Sequence, residues 1–202
     1  MQLSKAVMLA TVVASVSITV SCSSPGNYAD VPYNYIVDPE SRYQISQDGM
    51  IVTDKHTKLQ WMRCSAGQYW NGSECRGRPS RMEWAEAKKY AESLNYAGHD
   101  DWRLPTNVEL TSLLYCSAEH PNLVNGSCVE RVYYPSIVPS VFPATYDNKY
   151  WTSTDADYDR YGSSMQDNYN KVWAVSFGYA TVYDDYGKGN LAAVRLVRKS
   201  LW

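Results

Sequence analysis

Four cysteines in two short, similar loops carry the most definite chemistry of this chain. Cys64 and Cys75 enclose ten residues with Asn71-Gly72 among them, and Cys116 and Cys128 enclose a segment with Asn125-Gly126. Asn-Gly suits a tight reversal, so pairing of Cys64 with Cys75 and of Cys116 with Cys128 is favoured over crossed pairing. In the chain-entropy account each bridge is worth about 3 kcal/mol. Zinc ligation is the rival chemistry. The spacings are too long for paired zinc knuckles, however, and bridges suit an oxidising compartment. Asp155-Ala-Asp-Tyr-Asp159 offers alternate carboxylates to a calcium ion, but Arg160 and Gln166 stand where an EF-hand needs glycine and a bidentate acid. Neither a metal nor a cofactor is expected. His56, His99 and His120 are scattered and lie in no nucleophile motif, and bridged cysteines cannot attack a substrate, so the expectation is binding and not catalysis.

Two groups of residues suit binding. Tyrosines 146, 150, 158, 161, 169, 179, 183 and 186 are interleaved with Asp, Asn, Ser and Gly. Tyrosine gives large contact area at low entropic cost while the small polar residues adapt their hydrogen bonds, the composition of a paratope. Tyr150, Trp151 and Trp173 fit the core better. The candidate ligand contacts are therefore Tyr158, Tyr161, Tyr169, Tyr179, Tyr183, Asp184, Asp185 and Tyr186. A basic concentration, Arg76, Arg78 and Arg81 followed by Lys88 and Lys89, suits sulfate or carboxylate groups, with Ser80 at an expected helix start adding backbone donors. A formal net charge of -2 argues against nucleic acid as partner.

These residues need a scaffold, and the chain has the composition for one. Its 202 residues, 45% hydrophobic, allow one domain with a real core. Residues 1–21 read as an export signal, with Lys5 before the apolar run Ala6 to Val20, which is short of the roughly twenty residues a membrane-spanning helix needs. The odd cysteine, Cys22, falls where cleavage is expected. Thr19-Val-Ser-Cys22 resembles a bacterial lipobox with Thr19 in place of the usual Leu, and Ser23 fits outer-membrane sorting. A lipid-anchored protein of the cell envelope is expected, surface exposed or facing the periplasm, with ordinary cleavage and release as the alternative. Residues 22–42 read as the lipidated cysteine and a flexible tether, and 43–202 as the domain.

Within the domain, Tyr43–Ser46, Met50–Thr53 and Leu59–Met62 alternate like strands. Trp84, Ala87, Ala91 and Leu94 recur at helical spacing between an expected Ser80 cap and Gly98. Thr106 and Glu109 form a capping box for a second helix whose inner face is Leu110, Leu113 and Leu114. Strands return at Tyr150–Thr154, Val172–Phe177, Ala180–Tyr183 and Ala192–Arg198. This order implies an α+β domain, two helices packed on antiparallel sheets, whose last strand returns beside the first.

Thr53-Asp54, Leu59-Gln-Trp61, Trp84-Ala-Glu-Ala87, Asp101-Trp-Arg-Leu-Pro-Thr106, Glu109-Leu110, Tyr150-Trp-Thr-Ser-Thr154 and Val194-Arg-Leu-Val-Arg198 together resemble the Lcl carboxy-terminal domain family, named for a bacterial collagen-like adhesin. The resemblance covers about residues 46 to 198 and includes the Cys64 to Cys75 loop. It implies a divergent C-type lectin-like fold, related in plan to the formylglycine-generating enzyme group, and a noncatalytic domain like the one that binds sulfated glycosaminoglycans in the namesake. Trp102, Arg103, Leu104, Pro105, Glu109, Trp151, Trp173, Arg195 and Arg198 are then motif residues, the charged ones expected to form internal ion pairs. This chain lacks the collagen repeat, the Glu-Pro-Asn and Trp-Asn-Asp signatures of calcium-dependent lectins, and any cysteine after Cys128. The expected partner is an extracellular glycan. An envelope protein, recognised by a diversified lectin-fold surface, is the alternative.

Overall fold

The computed structural model describes residues 39–117, 123–156 and 170–200. The expected export segment, Cys22 and most of the expected tether fall outside this range, as do Tyr158, Tyr161 and Tyr169. A single 3-10 turn, Pro39–Arg42, leads into β1 (Tyr43–Ile45), β2 (Ile51–Asp54) and β3 (Leu59–Met62), an antiparallel meander with Val52 opposite Trp61. The first disulfide loop folds into its own hairpin, β4 (Tyr69–Trp70) against β5 (Cys75–Arg76), with the Cys64–Cys75 bridge at 2.04 Å. The Cys116–Cys128 bridge is present too.

After β6 (Arg81–Met82) come α1 (Trp84–Ser93) and α2 (Asn107–Thr111). The second bridge closes the hairpin of β7 (Leu123–Val124) and β8 (Ser127–Cys128). Three long strands follow, β9 (Lys149–Asp155), β10 (Lys171–Ser176) and β11 (Thr181–Gly187), and the described chain ends through β12 (Ala192–Ala193) and β13 (Val197–Lys199). One sheet is ordered β1-β2-β3-β13 and a larger one β6-β12-β9-β10-β11-β8-β7. Pairing is antiparallel except where β12 runs parallel to β9. This is an α+β fold.

Strand alternation explains how the two helices are used. Val52, Trp61, Tyr150, Trp173, Ala193 and Val197 enter one buried cluster, whereas their sequence neighbours Ile51, Met62, Trp151, Val172, Ala192 and Leu196 enter another. Successive side chains on a strand point to opposite faces, so the central strands are buried on both. α2 delivers Leu110 to the first cluster, followed by Leu113 and Leu114, and α1 delivers Ala87 and Ala91 to the second. Each fully buried leucine contributes about 1.5–3 kcal/mol.

Four local expectations are corrected. Ser80 does not cap α1: its N–H donates to the Ala66 carbonyl at 2.8 Å, and Arg81-Met82 pair with β12 as an edge strand. The helix starts later, where Glu86 accepts from the Glu83 N–H at 3.1 Å. Gly98 closes no helix. With Ala97 (φ 52) it forms a two-residue reversal at φ 78, bracketed by hydrogen bonds between Tyr96 and His99. The expected final strand is two strands, because Val194-Arg195-Leu196 carries the chain from the large sheet to the small one, where Met62 N–H donates to the Leu196 carbonyl. The chain end does rejoin the amino-terminal sheet, but its neighbour there is β3, which offers Trp61 opposite Val197, and β1 lies at the far edge.

Candidate functional site

The tyrosine-rich strands meet the chain's cations on one face of the large sheet, and a register slip puts them there. Tyr183 lies opposite Ala174 and Tyr186 opposite Val172, so three residues of β11 span two of β10. In a regular strand, residues three apart face opposite ways. The extra residue of the bulge reverses that parity and turns both tyrosines to the same side. Lys149 precedes Tyr150, whose ring lies in the first cluster, and so shares the face of Trp151. Its ammonium sits 4.3 Å from the Tyr183 ring centre and 5.2 Å from that of Tyr186. Tyr186 in turn packs on Trp151 with ring centres 5.0 Å apart.

Arg81 reaches the same face from edge strand β6. Its guanidinium carbon lies 5.9 Å from the Tyr146 ring centre and Nη1 donates to the Tyr146 hydroxyl at 3.5 Å. Partial burial raises the Tyr186 phenol pKa, with Tyr146 adding to the rise and the Arg81 charge opposing it. Burial likewise raises Tyr183, with Tyr179 contributing. Both phenols stay neutral near pH 7, available as donors and acceptors.

The face continues past the β10–β11 turn. Tyr179 is 65% exposed there and Tyr134 69%. The Tyr134 hydroxyl donates to Asp147 Oδ2 at 3.0 Å, and Arg131 lies 5.9 Å from the Tyr134 ring centre while donating to the Gly178 carbonyl. Cations over aromatic rings are worth about 0.5–1 kcal/mol at exposed sites, and more once a ligand excludes water. The surface thus alternates flat aromatic area with fixed positive charge. Aromatic faces and fixed cations in this arrangement have the chemistry to stack on flat rings and to pair with anionic groups.

Of the residues expected to bind, the structure gathers Tyr179, Tyr183, Tyr186 and Arg81. Asp184 and the exposed Asp185 lie on the same strand, β11. Arg76 is engaged elsewhere, 2.5 Å from Glu74 on the other side of Cys75, and Arg78 is exposed in the segment leading to β6. Lys88 stacks on Trp84 at 4.9 Å, beside Lys188 at 4.5 Å. Asp155 pairs with Lys188 at 2.9 Å, while Asp157 and Asp159 lie outside the described residues. Among the described residues no group of three or more His, Cys, Asp and Glu converges as metal ligands. Lys149, Arg131 and Tyr134 join the face without having been anticipated. Lys149 was legible in part, since it adjoins a buried tyrosine on a strand, but the bulge that sets its partners leaves no trace in composition or period.

The charged motif residues have separate duties. Arg103 grips Glu109 with two hydrogen bonds, 2.8 and 2.6 Å, while Glu109 also accepts from the Thr106 N–H at 2.8 Å. Burial works to raise the Glu109 carboxyl, but the Arg103 and Thr106 hydrogen bonds and the Arg103 charge hold it below its ordinary value. Arg198 pairs with Asp101 at 2.6 Å and also reaches Gln60. Arg195 departs from the expected ion pair. It is fully buried, and the acceptors it engages are the Met62 and Arg63 carbonyls and the hydroxyls of Thr145 and Ser65. Trp102, Leu104, Pro105, Trp151 and Trp173 are all buried.

No curated protein matches the chain. The Lcl C-terminal domain model matches residues 50–198, nearly the whole of the described fold from β2 to β13. The charged and aromatic motifs that cap α2, fix the chain end and line the large sheet all fall within that match, and the chain belongs to the Lcl C-terminal domain family.

Proposed function

We propose that this protein is an exported, lipid-anchored recognition module of the bacterial envelope that binds an anionic extracellular polysaccharide without transforming it. The observation that carries this reading is Lys149 seated over both Tyr183 and Tyr186, with Arg81 beside Tyr146 at the edge of the same face. Stacking area and positive charge, interleaved at contact distance, match a chain of sugar rings bearing carboxylate or sulfate. Membership of the family adds support, since its namesake is an adhesin, and a divergent C-type lectin-like plan accords with two helices and mixed sheets. Cys22 supplies the anchor and residues 22–42 the tether. Outer-membrane attachment follows Ser23.

Retention on immobilised heparin across a salt gradient tests this reading. Unaltered protein elutes well above low salt, and the double variant Arg81→Ala, Lys149→Ala elutes much earlier with its thermal unfolding unchanged. Loss of two contacts to sulfate or carboxylate weakens binding about a hundredfold if each is worth about 1.4 kcal/mol. No retention of the unaltered protein even at low salt rejects the glycan reading.

A second reading rests on Tyr134 and Tyr179, whose exposure beside Val132 (53% exposed) gives a partly apolar end to the face. A protein partner in the envelope would use that end. Binding that is insensitive to salt and lost on Tyr134→Ala with Tyr179→Ala would favour it.

A further inference from the structure

We propose that Arg195 is a positioning residue for the ligand face, acting through Thr145 and Tyr150 to hold the segment that presents Tyr146 and Lys149. This inference rests on the binding role proposed for that face.

A buried guanidinium is costly to desolvate, and an apolar residue of the same volume often stabilises a core better. Arg195 has no exposed surface, its acceptors are all neutral oxygens, and its Nε finds no acceptor among the described residues. Core stability alone therefore accounts poorly for this side chain. What it does is join segments that no sheet pairing joins. One end of its fork donates to the Met62 carbonyl at 2.8 Å and to the Arg63 carbonyl, just past β3. The other end donates to Thr145 Oγ1 at 2.8 Å and Ser65 Oγ at 3.3 Å. Thr145 Oγ1 is itself committed, donating to the Phe142 carbonyl at 2.8 Å.

The next links lead outward. Ser65 Oγ lies 2.8 Å from Tyr150 Oη, and Tyr150 Oη accepts the Tyr146 N–H at 2.8 Å. Residues 146–148 thus form a short loop that runs into β9 at Lys149, tied at its start by Thr145 and Tyr146 and just past its end by Tyr150, both ties running back to one buried cation. The loop opens on Tyr146, which meets Arg81, and delivers Lys149, which pairs with Ser176 of β10 and meets Tyr183 and Tyr186. Moving the loop by an ångström would separate the cation from the rings. Recognition sites need such support, because a contact set that is present but loosely held loses affinity.

Tyr150→Phe removes one oxygen and keeps the ring in the core, where it meets Phe177 edge-on at 5.2 Å. The test has two arms. In the ligand-free arm, proton resonance reads the Lys149 Cε methylene, which the Tyr183 and Tyr186 rings shift upfield. The proposal expects Tyr150→Phe, and independently Ser65→Ala and Arg195→Lys, to collapse that shift, Arg195→Lys because one ammonium cannot reach the Met62 and Arg63 carbonyls held by Nη1 and the Thr145 and Ser65 hydroxyls held by Nη2 together. In the binding arm, affinity for a heparin octasaccharide falls roughly fivefold in Tyr150→Phe, the worth of one hydrogen bond, and the loss disappears in a Tyr146→Ala background. Lowered melting temperature with an unchanged Lys149 shift in all three variants overturns the proposal, since that is the behaviour of a purely structural network. If unaltered protein ignores the octasaccharide, the binding reading fails, and the Lys149 shift still decides the positioning claim.

Discussion

Among the described glycines, Gly178 is the one with the least room for a side chain. A Cβ built there would lie 1.9 Å from the Asp147 carbonyl oxygen, which is backbone and cannot swing aside. The same glycine's carbonyl takes the Arg131 hydrogen bond, and Tyr179 follows directly. Gly178→Ala should therefore destabilise by about 1–3 kcal/mol, through overpacking that shifts two backbone segments, and should displace Tyr179 from Tyr134. Chemical denaturation with an unchanged slope would measure the loss; an alanine variant as stable as the parent would show that the two segments yield. At this scale the sequence spoke unevenly. Tyr150, Trp151 and Trp173 could be assigned to the core because each sits in an apolar run. Arg195 could not be told from Arg103 and Arg198, since all three are arginines in motifs and only the fold reveals which have a carboxylate within reach.

At the scale of elements, the β7–β8 hairpin braces the tyrosine turn from outside. The Cys128 N–H donates to the Ala180 carbonyl at 2.9 Å, the Val182 N–H to the Gly126 carbonyl at 2.8 Å, and Ser127 Oγ lies 2.9 Å from Thr181 Oγ1. The Cys116–Cys128 bridge, twelve residues apart, fixes that hairpin to the segment after α2. Replacing both cysteines by alanine should cost about 2–4 kcal/mol and should weaken any ligand that uses Tyr179 more than one confined to Lys149 and Arg81. Melting and binding measured on the same variant separate the two effects; an unaltered melting point would deny the hairpin its bracing role. The longer helix was legible in the sequence, as Ala87 and Ala91 of α1 show, because periodicity needs length to register, whereas α2 stops at Thr111 and leaves Leu113 and Leu114 buried beyond its end. Strands of two residues such as β6 and β12 have no period, so Ser80 was read as a cap when the pairing of Arg81 with Ala193 decides its setting. The β10–β11 bulge was invisible for a related reason: register belongs to a pair of strands and not to either one.

At the scale of the molecule, three carboxylates hold arginines, and two of these pairs tie distant parts of the chain together. Asp54, with no exposed side-chain surface, pairs with Arg42, which also donates to the Ser112 carbonyl at 2.9 Å. Asp101 holds Arg198 near the end of the described chain, and Glu109 holds Arg103. Burial works to raise Asp54, but the Arg42 hydrogen bond and charge more than offset it, and Asp101 is lowered chiefly by its hydrogen bond from Arg198. All three sit below their ordinary values of 3.8 and 4.5. A depressed carboxyl stabilises the folded state above its unfolded pKa, and that stability drains away as pH falls through the folded value. Thermal stability should therefore hold steady from pH 7 to about 5 and decline below about 4, with Asp54→Asn flattening the decline. A melting point independent of pH between 5 and 2.5 would contradict these assignments.

The sequence order of strands, helices and strands was enough to identify an α+β domain, and the ordered motifs pointed to its family. The surface proposed to bind was only half legible, because Arg76, Arg78 and Arg81 look alike in a row and, of these three, Arg81 is the one placed against a tyrosine. The most direct test is to map the surface itself. Amide and side-chain resonances of the domain, followed while a heparin octasaccharide is added, should move first and furthest at Lys149, Tyr183, Tyr186, Tyr146 and Arg81. Shifts confined to Arg76, Arg78, Lys88 and Lys89, with the tyrosine face untouched, would contradict the account.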